Sequence, residues 1–333
     1  MSDQVPARLV VVGENVMDLL PTRHGPDVLR AAPGGGPANT AVAAARLGLP
    51  TRLLARIGSD GFGELIRARL LAEGLDPSGL IAAEEPSALA LATLDENGAA
   101  RYDFRMDDAA DWRWQPGELP ESFEPGVRAV HAASIALFRE PGASLVEALL
   151  GREHGRGQVT VTLDPNIRPD VIGDPAAARA LALRHAAQAH VVKASDEDLA
   201  FLYPGRGPED AARALAALGP ALVVVTLGAR GAFALSHGVS ASVPAPETET
   251  EVVDTVGAGD SFMGALLRRL DLDGRLGSEP RNRLAGLTEQ DLTALLSFAA
   301  TAAAHTVTRE GADPPTAREL RLDPSGEAGP HPG

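Results

Sequence analysis

Short apolar runs alternate with helical stretches along most of this chain, and that order limits the folds open to it. Residues 8–13, ending in Gly13, read as a buried parallel strand. Residues 37–48 follow a glycine cluster, and their alanines and Leu47 suit a tightly packed helix that Gly48 closes. A second strand is predicted over 51–57, and an amphipathic helix over 62–72, ended by Gly74. Further strands are predicted over 127–131, 159–163, 191–192 and 222–226, with helical stretches near 145–150, 176–187 and 209–218 between them. Alternation of this kind implies βαβ units, hence an α/β fold with a mainly parallel central sheet and helices on both faces. A last helix is predicted from 288 to about 304, and 271–286 reads as a polar loop rich in Gly and Arg.

One stretch breaks the pattern. Residues 88–94 and 99–104 are strand-like and flank an Asn97-Gly98 turn, a hairpin signal. A hairpin is antiparallel, so it is expected outside the parallel sheet. With the polar 107–114 that follows, which holds both tryptophans, it reads as a lid or flap. The expected layout is one domain over 1–320, with lid segments at about 15–33 and 87–114 and a disordered Pro/Gly-rich tail over 321–333.

With 333 residues, 44% of them hydrophobic, the chain has ample core for such a domain. Its net charge of −15 disfavours nucleic acid and anionic membrane as partners. It contains no cysteine, which excludes disulfides, thiolate chemistry and cysteine-ligated zinc. No secretory-type leader opens it, and no apolar run reaches the roughly 18 residues of a membrane helix, so a soluble cytoplasmic protein is expected. Lys193 is the only lysine among 30 basic residues, a hint that its position needs an ammonium group.

The chemistry concentrates in Asp254-Thr255-Val256-Gly257-Ala258-Gly259-Asp260-Ser261-Phe262. Small residues at 257–259 leave backbone N–H groups bare just ahead of a helical stretch, 261–270, and a helix start of that type binds anions. Asp260 alone also fits a helix cap. A cap does not explain Gly257, Ala258 and Gly259 beside it. A carboxylate next to an anion site has the layout of phosphoryl transfer, in which one group takes a hydroxyl proton while N–H donors hold the phosphoryl charge. A second cluster, Gly34-Gly35-Gly36-Pro37-Ala38-Asn39, permits close backbone approach to a ligand, although a tight strand-to-helix turn fits it as well. Neither G-x-x-x-x-G-K-[ST] nor a strand-linked G-x-G-x-x-G is present, so P-loop and dinucleotide-binding readings lose their support.

Together the two clusters resemble the signatures of the PfkB (ribokinase-like) carbohydrate kinases. The similarity extends through Glu14 with Asp18, Asp164-Pro165-Asn166-Ile167-Arg168, Thr226 to Gly231 and Thr308 to Ala312, nearly the whole chain to about residue 320. Within that family the chain is most similar to the fructokinases, through Glu14 with Asp18-Leu19-Leu20-Pro21, Ala109 to Trp112, and Gly311 to Pro315. The resemblance implies a ribokinase-like fold with a small β lid. It implies ATP as phosphoryl donor, Mg²⁺ as cofactor, K⁺ as a candidate activator at Asp254, and a homodimer through the lid. Asp260 would be the base, with Gly257, Ala258 and Gly259 as anion hole. Asp18, Gly35, Gly36, Asn39, Arg105, Asn166 and Arg168 would form the sugar site. Lys193, Thr226, Gly228, Gly231, Gly257, Gly259, Ala300 and Ala303 would meet the nucleotide. Fructose is the first-choice acceptor, with 2-keto-3-deoxygluconate, ribose and a nucleoside as alternatives, and an idle sugar- or nucleotide-binding sensor as the rival class.

Several of these residues also have plainer readings. Asp18 fits a turn, Arg105 and Lys193 fit solvated strand ends, and 299–305 fits apolar helix packing. In place of the Asn-x-x-Glu motif that organises the family's magnesium, this chain has Ser195-Asp196-Glu197-Asp198. Asp198 would then hold the metal through water, while the same stretch also reads as a serine N-cap with acids in the first helical turn.

Overall fold

The computed structural model describes residues 6–22, 25–94, 100–248 and 250–322. The Asn97-Gly98 turn and the tail beyond 322 lie outside them. The first half of the chain forms β1 (Leu9–Val12), β2 (Val16–Thr22), β3 (Gly25–Pro33), α1 (Gly36–Arg46), β4 (Thr51–Gly58), α2 (Gly61–Ala72), β5 (Leu80–Ala83), β6 (Ala88–Leu94), β7 (Ala100–Arg105), β8 (Ala129–Ala133), α3 (Gly142–Arg156) and β9 (Thr160–Asp164). The second half forms α4 (Pro175–Ala187), β10 (Val191–Ser195), α5 (Asp196–Leu202), α6 (Pro208–Ala216), β11 (Leu222–Thr226), β12 (Ala232–Ser236), β13 (Val239–Val243), α7 (Ala258–Leu272), α8 (Pro280–Leu284) and α9 (Glu289–Val307).

Nine strands make the main sheet, in the order β13-β12-β11-β10-β9-β8-β1-β4-β5. From β5 to β11 all pairings are parallel, while β12 and β13 are added antiparallel at one edge. β1 shows why its sequence is an unbroken apolar run. Leu9 and Val11 enter a core with α1, α7 and α9, whereas Val10 and Val12 enter a core on the other face with α3, α4, α5 and α6. The parallel strands end in register along one edge, with Ala133 opposite Asp164 and Ser195 opposite Thr226. In open parallel sheets that carboxyl edge is where ligands bind.

The lid is a separate four-stranded sheet, ordered β3-β2-β6-β7. Only Gly13, Glu14 and Asn15 separate β1 from β2, so the lid springs directly from the carboxyl end of a central strand. Val16, Ala88 and Ala90 pack it onto Met106, Ala109, Trp112 and Ile135.

Two stretches differ from the sequence expectation. Asp107 and Asp108 are exposed, but Ala109 to Trp112 are buried, and Trp114 belongs to the main core. Trp112 donates its indole N–H to the Met106 carbonyl at 2.7 Å, and Asp111 accepts from the Asn15 N–H at 2.6 Å. Asp111 and the Trp112 indole therefore serve internal bonds, and 109–112 is a wedge under the lid. In the expected loop over 271–286, Asp271 lies in the last turn of α7, buried and ion-paired with Arg8, Arg128 and Arg268, and α8 interrupts the rest. Leu320 and Leu322 pack against the core, so order continues past residue 320.

Candidate active site

The centre of the site is the start of α7. Gly257 precedes the helix at φ 76°, in the left-handed region, and no side chain caps it. A side chain at 257 would be strained in backbone and would also meet Ala312, whose Cβ lies 2.5 Å from where a Cβ would stand. The first N–H groups of a helix have no internal partner, so this turn presents donors and a positive dipole end. Asp260 sits in its first turn. Burial pushes its carboxyl up to about 6, with the Asn39 hydrogen bond opposing, Asp164 adding to the rise, and Lys193 and Arg168 opposing.

Asn39, in the first turns of α1, donates its amide to Asp260 Oδ2 at 3.0 Å. Gly36 faces the other oxygen. A Cβ there would lie 3.4 Å from Asp260 Oδ1, 2.7 Å from Asn166 Nδ2 and 3.4 Å from the Ser134 Cβ. The missing side chain therefore leaves a gap between Asp260 and Asn166. Gly35 has φ 99° and packs against the Glu14 carbonyl, which a Cβ would approach to 2.6 Å. Asn166 itself takes φ 39°, just past the end of β9.

Asp18 lies on β2, and its Oδ2 occupies the space left by Gly34, 2.3 Å from a would-be Cβ. Burial raises its carboxyl to about 6, with Arg69 opposing and Asp260 adding to the rise. Glu14, one link back, is fully buried and accepts from the Ala136 N–H at 3.0 Å. The glycines at 34–36 and the two acids after β1 thus form one wall.

Lys193 is buried on β10 and bonds Asp164 Oδ2 at 2.8 Å. Its ammonium lies 3.1 Å from where a Cβ would stand on Gly259, so it faces the start of α7. Burial works against its charge, but Asp164, Asp198 and Asp260 outweigh it and raise its pKa. The solvated-end alternative for Lys193 is thereby removed. Asp198 closes a capping box: Oδ2 accepts from the Ser195 N–H and hydroxyl, and Oδ1 from the Ile167 N–H at 2.7 Å. Asp164 Oδ1, by contrast, is buried without a partner.

The remaining residues are less closely gathered. Arg168 is exposed beyond β9 and bonds the Ile167 carbonyl at 3.1 Å. Arg105 ends β7 on the lid, 70% exposed and paired with Asp103 at 2.8 Å. Thr226 ends β11 opposite Ser195, and Gly228 and Gly231, both at positive φ, shape the turn into β12. Ala300 packs in the core on α9, with Ala303 partly buried against it. Asp254 accepts from the Val256 N–H at 3.0 Å and the Gly311 N–H at 2.8 Å, which pins the 311 segment beside the Gly257 turn.

Sequence reasoning gave no role to Ser134, Asp164, Arg69 or Ala312. Ser134, at φ 63°, is a left-handed non-glycine that no local pattern announces. Asp164 had one signal, since a lone lysine in a buried strand needs a carboxylate partner.

A family model described as pfkB family carbohydrate kinase matches residues 6–318. The fructokinase of Klebsiella pneumoniae is 36% identical over 272 residues, covering 80% of this chain and 85% of that protein. Among solved structures, fructokinase from Vibrio cholerae O395 in its fructose, ADP and calcium ion bound form matches with TM-score 0.77 and 31% identity, covering 92% of this chain and 94% of that one. Fructokinase from Xylella fastidiosa with bound ATP matches with TM-score 0.82 and 25% identity over the same shares. Family model, relatives and fold agree, and the chain belongs to the pfkB family of carbohydrate kinases.

Proposed function

We propose that this protein is an ATP-dependent fructokinase in which Asp260 takes the proton of a fructose hydroxyl as that oxygen attacks the γ-phosphoryl group. The observation that carries the reading is the pairing of Asp260 with Asn39 at an uncapped helix start, with Lys193 facing the same turn. Asn39 holds one oxygen of the base, leaving Oδ1 facing the gap over Gly36. A carboxyl pushed up to about 6 is ionised at neutral pH, yet is a stronger base than an exposed aspartate. The N–H groups of the Gly257-Ala258-Gly259 turn and the Lys193 ammonium supply the positive field for the transferred phosphoryl. Asp18, Gly35, Gly36, Asn39 and Asn166 hold the sugar.

The buried, partnerless Asp164 Oδ1 fits a cation, and Asp198 lies in the same field. Among the described residues no three acids or histidines gather into a metal cluster, so Mg²⁺ would be held largely through water and phosphate oxygens, with Asp164 and Asp198 as its carboxylates. When bound, it neutralises charge on the nucleotide phosphates. Asp254, which fixes the 311 segment, is the acid for a K⁺ ion. The reading includes a homodimer through the lid, because β3 is an edge strand with Val28 and Leu29 exposed. It also includes a cytoplasmic location, where ATP is available. No helix among the described residues is long and apolar enough to cross a membrane.

A coupled ADP-release assay over fructose, 2-keto-3-deoxygluconate, ribose and a nucleoside tests the assignment. Fructose should give the highest kcat/KM. Turnover with the keto-acid alone would move the acceptor assignment, and no turnover with any sugar would leave a sensor. Sedimentation at working concentration tests the dimer.

A further inference from the structure

Arg69 has no part in the chemistry above, yet its guanidinium joins the two ends of the site. It lies near the end of α2, half-buried, and donates to the carbonyl of Pro33 and, at 3.1 Å, to the carbonyl of Ala312. Pro33 is the last residue of lid strand β3 and precedes Gly34, the glycine that makes room for the Asp18 carboxylate. Ala312 is the residue packed against Gly257 at the phosphoryl end. Arg69 also lies in the field of Asp18, whose charged form it favours. The other charges around it are Glu73, Arg46 and Asp313. A second tie runs the same way, since Arg30 on β3 bonds Glu310 at 2.9 Å. The lid strand is therefore fastened twice to residues 310–312, and those residues back the Gly257 turn.

We propose that Arg69 is a positioning residue that couples the sugar end of the site to the phosphoryl end, so that sugar held at Asp18 and nucleotide held at the Gly257 turn bind cooperatively. The planar fork of an arginine can grip two carbonyls at a fixed spacing, which a lysine cannot reproduce. Coupling of this kind is reciprocal, each ligand tightening the other by the same factor. The proposal deepens the fructokinase reading and rests on it.

The test is calorimetric titration of fructose with and without the non-hydrolysable analogue AMP-PNP and Mg²⁺. The unmodified chain should bind fructose about tenfold more tightly with the analogue present, within the usual range of such couplings. In Arg69→Met that ratio should fall towards one, while AMP-PNP affinity measured alone stays within about threefold. Arg69→Lys keeps the charge near Asp18 and loses the fork. It should retain fructose affinity alone and still lose most of the ratio, and it decides the matter if Arg69→Met does not fold. A wild-type ratio near one, or an unchanged ratio in Arg69→Lys with only a lowered melting temperature, would reduce Arg69 to a structural brace and overturn the proposal. ADP release by the unmodified chain is read separately. If fructose neither binds nor turns over, the substrate reading fails, and the ratio is taken with the sugar of the panel that does.

Discussion

The amide of Asn39 donates to Asp260 Oδ2 at 3.0 Å and joins residues 221 apart in sequence. The contact depends on how closely α1 and α7 pack. A Cβ at Gly264 of α7 would lie 2.6 Å from the Ala43 Cβ and 3.0 Å from the Thr40 carbonyl on α1. Any larger residue there overpacks the helix pair, at a cost of about 1–3 kcal/mol, and moves the base from its partner. The two glycine clusters of the sequence thus meet in the fold.

Asp260→Asn keeps the shape of the side chain and removes the proposed base. Because Asn39 can still pair with the new amide oxygen, binding should survive. We expect kcat to fall about 10²–10⁴-fold with little change in KM for fructose, read by ADP release. Near-normal kcat would deny Asp260 the part of base.

The pH dependence follows from two acids. Asp260 and Asp18 are each raised to about 6 by burial, and Asp18 further by the charge on Asp260. In the proposed reaction both must be ionised, one to accept the proton and one to accept sugar hydroxyls. kcat/KM should therefore fall as pH drops through about 6, with a limiting log–log slope near two, the step belonging to the pair and not to either residue. The groups that set this limb are Asn39, Asp164, Lys193 and Arg168 around Asp260, and Arg69 beside Asp18. Asn39→Ala removes a bond that lowers the Asp260 pKa, so its limb should move to higher pH. A single-proton step near pH 4 in both proteins would contradict the geometry.

Strands buried on both faces were legible because nothing interrupts their apolar runs, as β1 and β11 show with every residue but Thr226 buried. The glycine clusters were legible because backbone demands are local: position 257 needs a left-handed turn and position 36 needs an empty Cβ. The partnerships were not. Lys193 and Asp164 meet only because β9 and β10 are neighbours in the sheet. Nothing local marks Arg69, since its partners are backbone carbonyls 36 and 243 residues away. Trp112 and Trp114 sat in a polar stretch whose aspartate turned inwards to the Asn15 backbone.

Lys193 tests whether the lone lysine is structural, functional or both. Lys193→Met leaves Asp164 buried beside Asp198 and Asp260 with no counter-charge, and losing one partner of such a pair costs about 3–5 kcal/mol. KM for ATP should rise as well. Adding Asp164→Asn should recover most of the stability lost with the pair, because the carboxylate that bonded the ammonium is no longer charged, while the weak ATP binding persists. Denaturant midpoints and KM for ATP of the single and double variants measure both. Full recovery of KM in the double variant would confine the lysine to neutralising Asp164.

Glu14 makes the last case, for stability. Burial raises its carboxyl from the ordinary 4.5 to about 7, against the opposing Ser134 and Ala136 hydrogen bonds. Asp111 is raised to about 7 by burial too, with Asn15 opposing and Glu14 adding to the rise. An acid whose folded pKa exceeds its unfolded value binds its proton more tightly in the fold. The stability from Glu14 is therefore complete below pH 4.5 and is lost as pH rises through about 7. Glu14→Gln fixes the neutral form and retains an oxygen for the Ala136 N–H. The variant should match the wild type near pH 4 and exceed it by about 3 kcal/mol at pH 8, measured by denaturant unfolding at both. A wild type as stable as the variant at pH 8 would mean that Ser134 and Ala136 fully offset the burial of the charge.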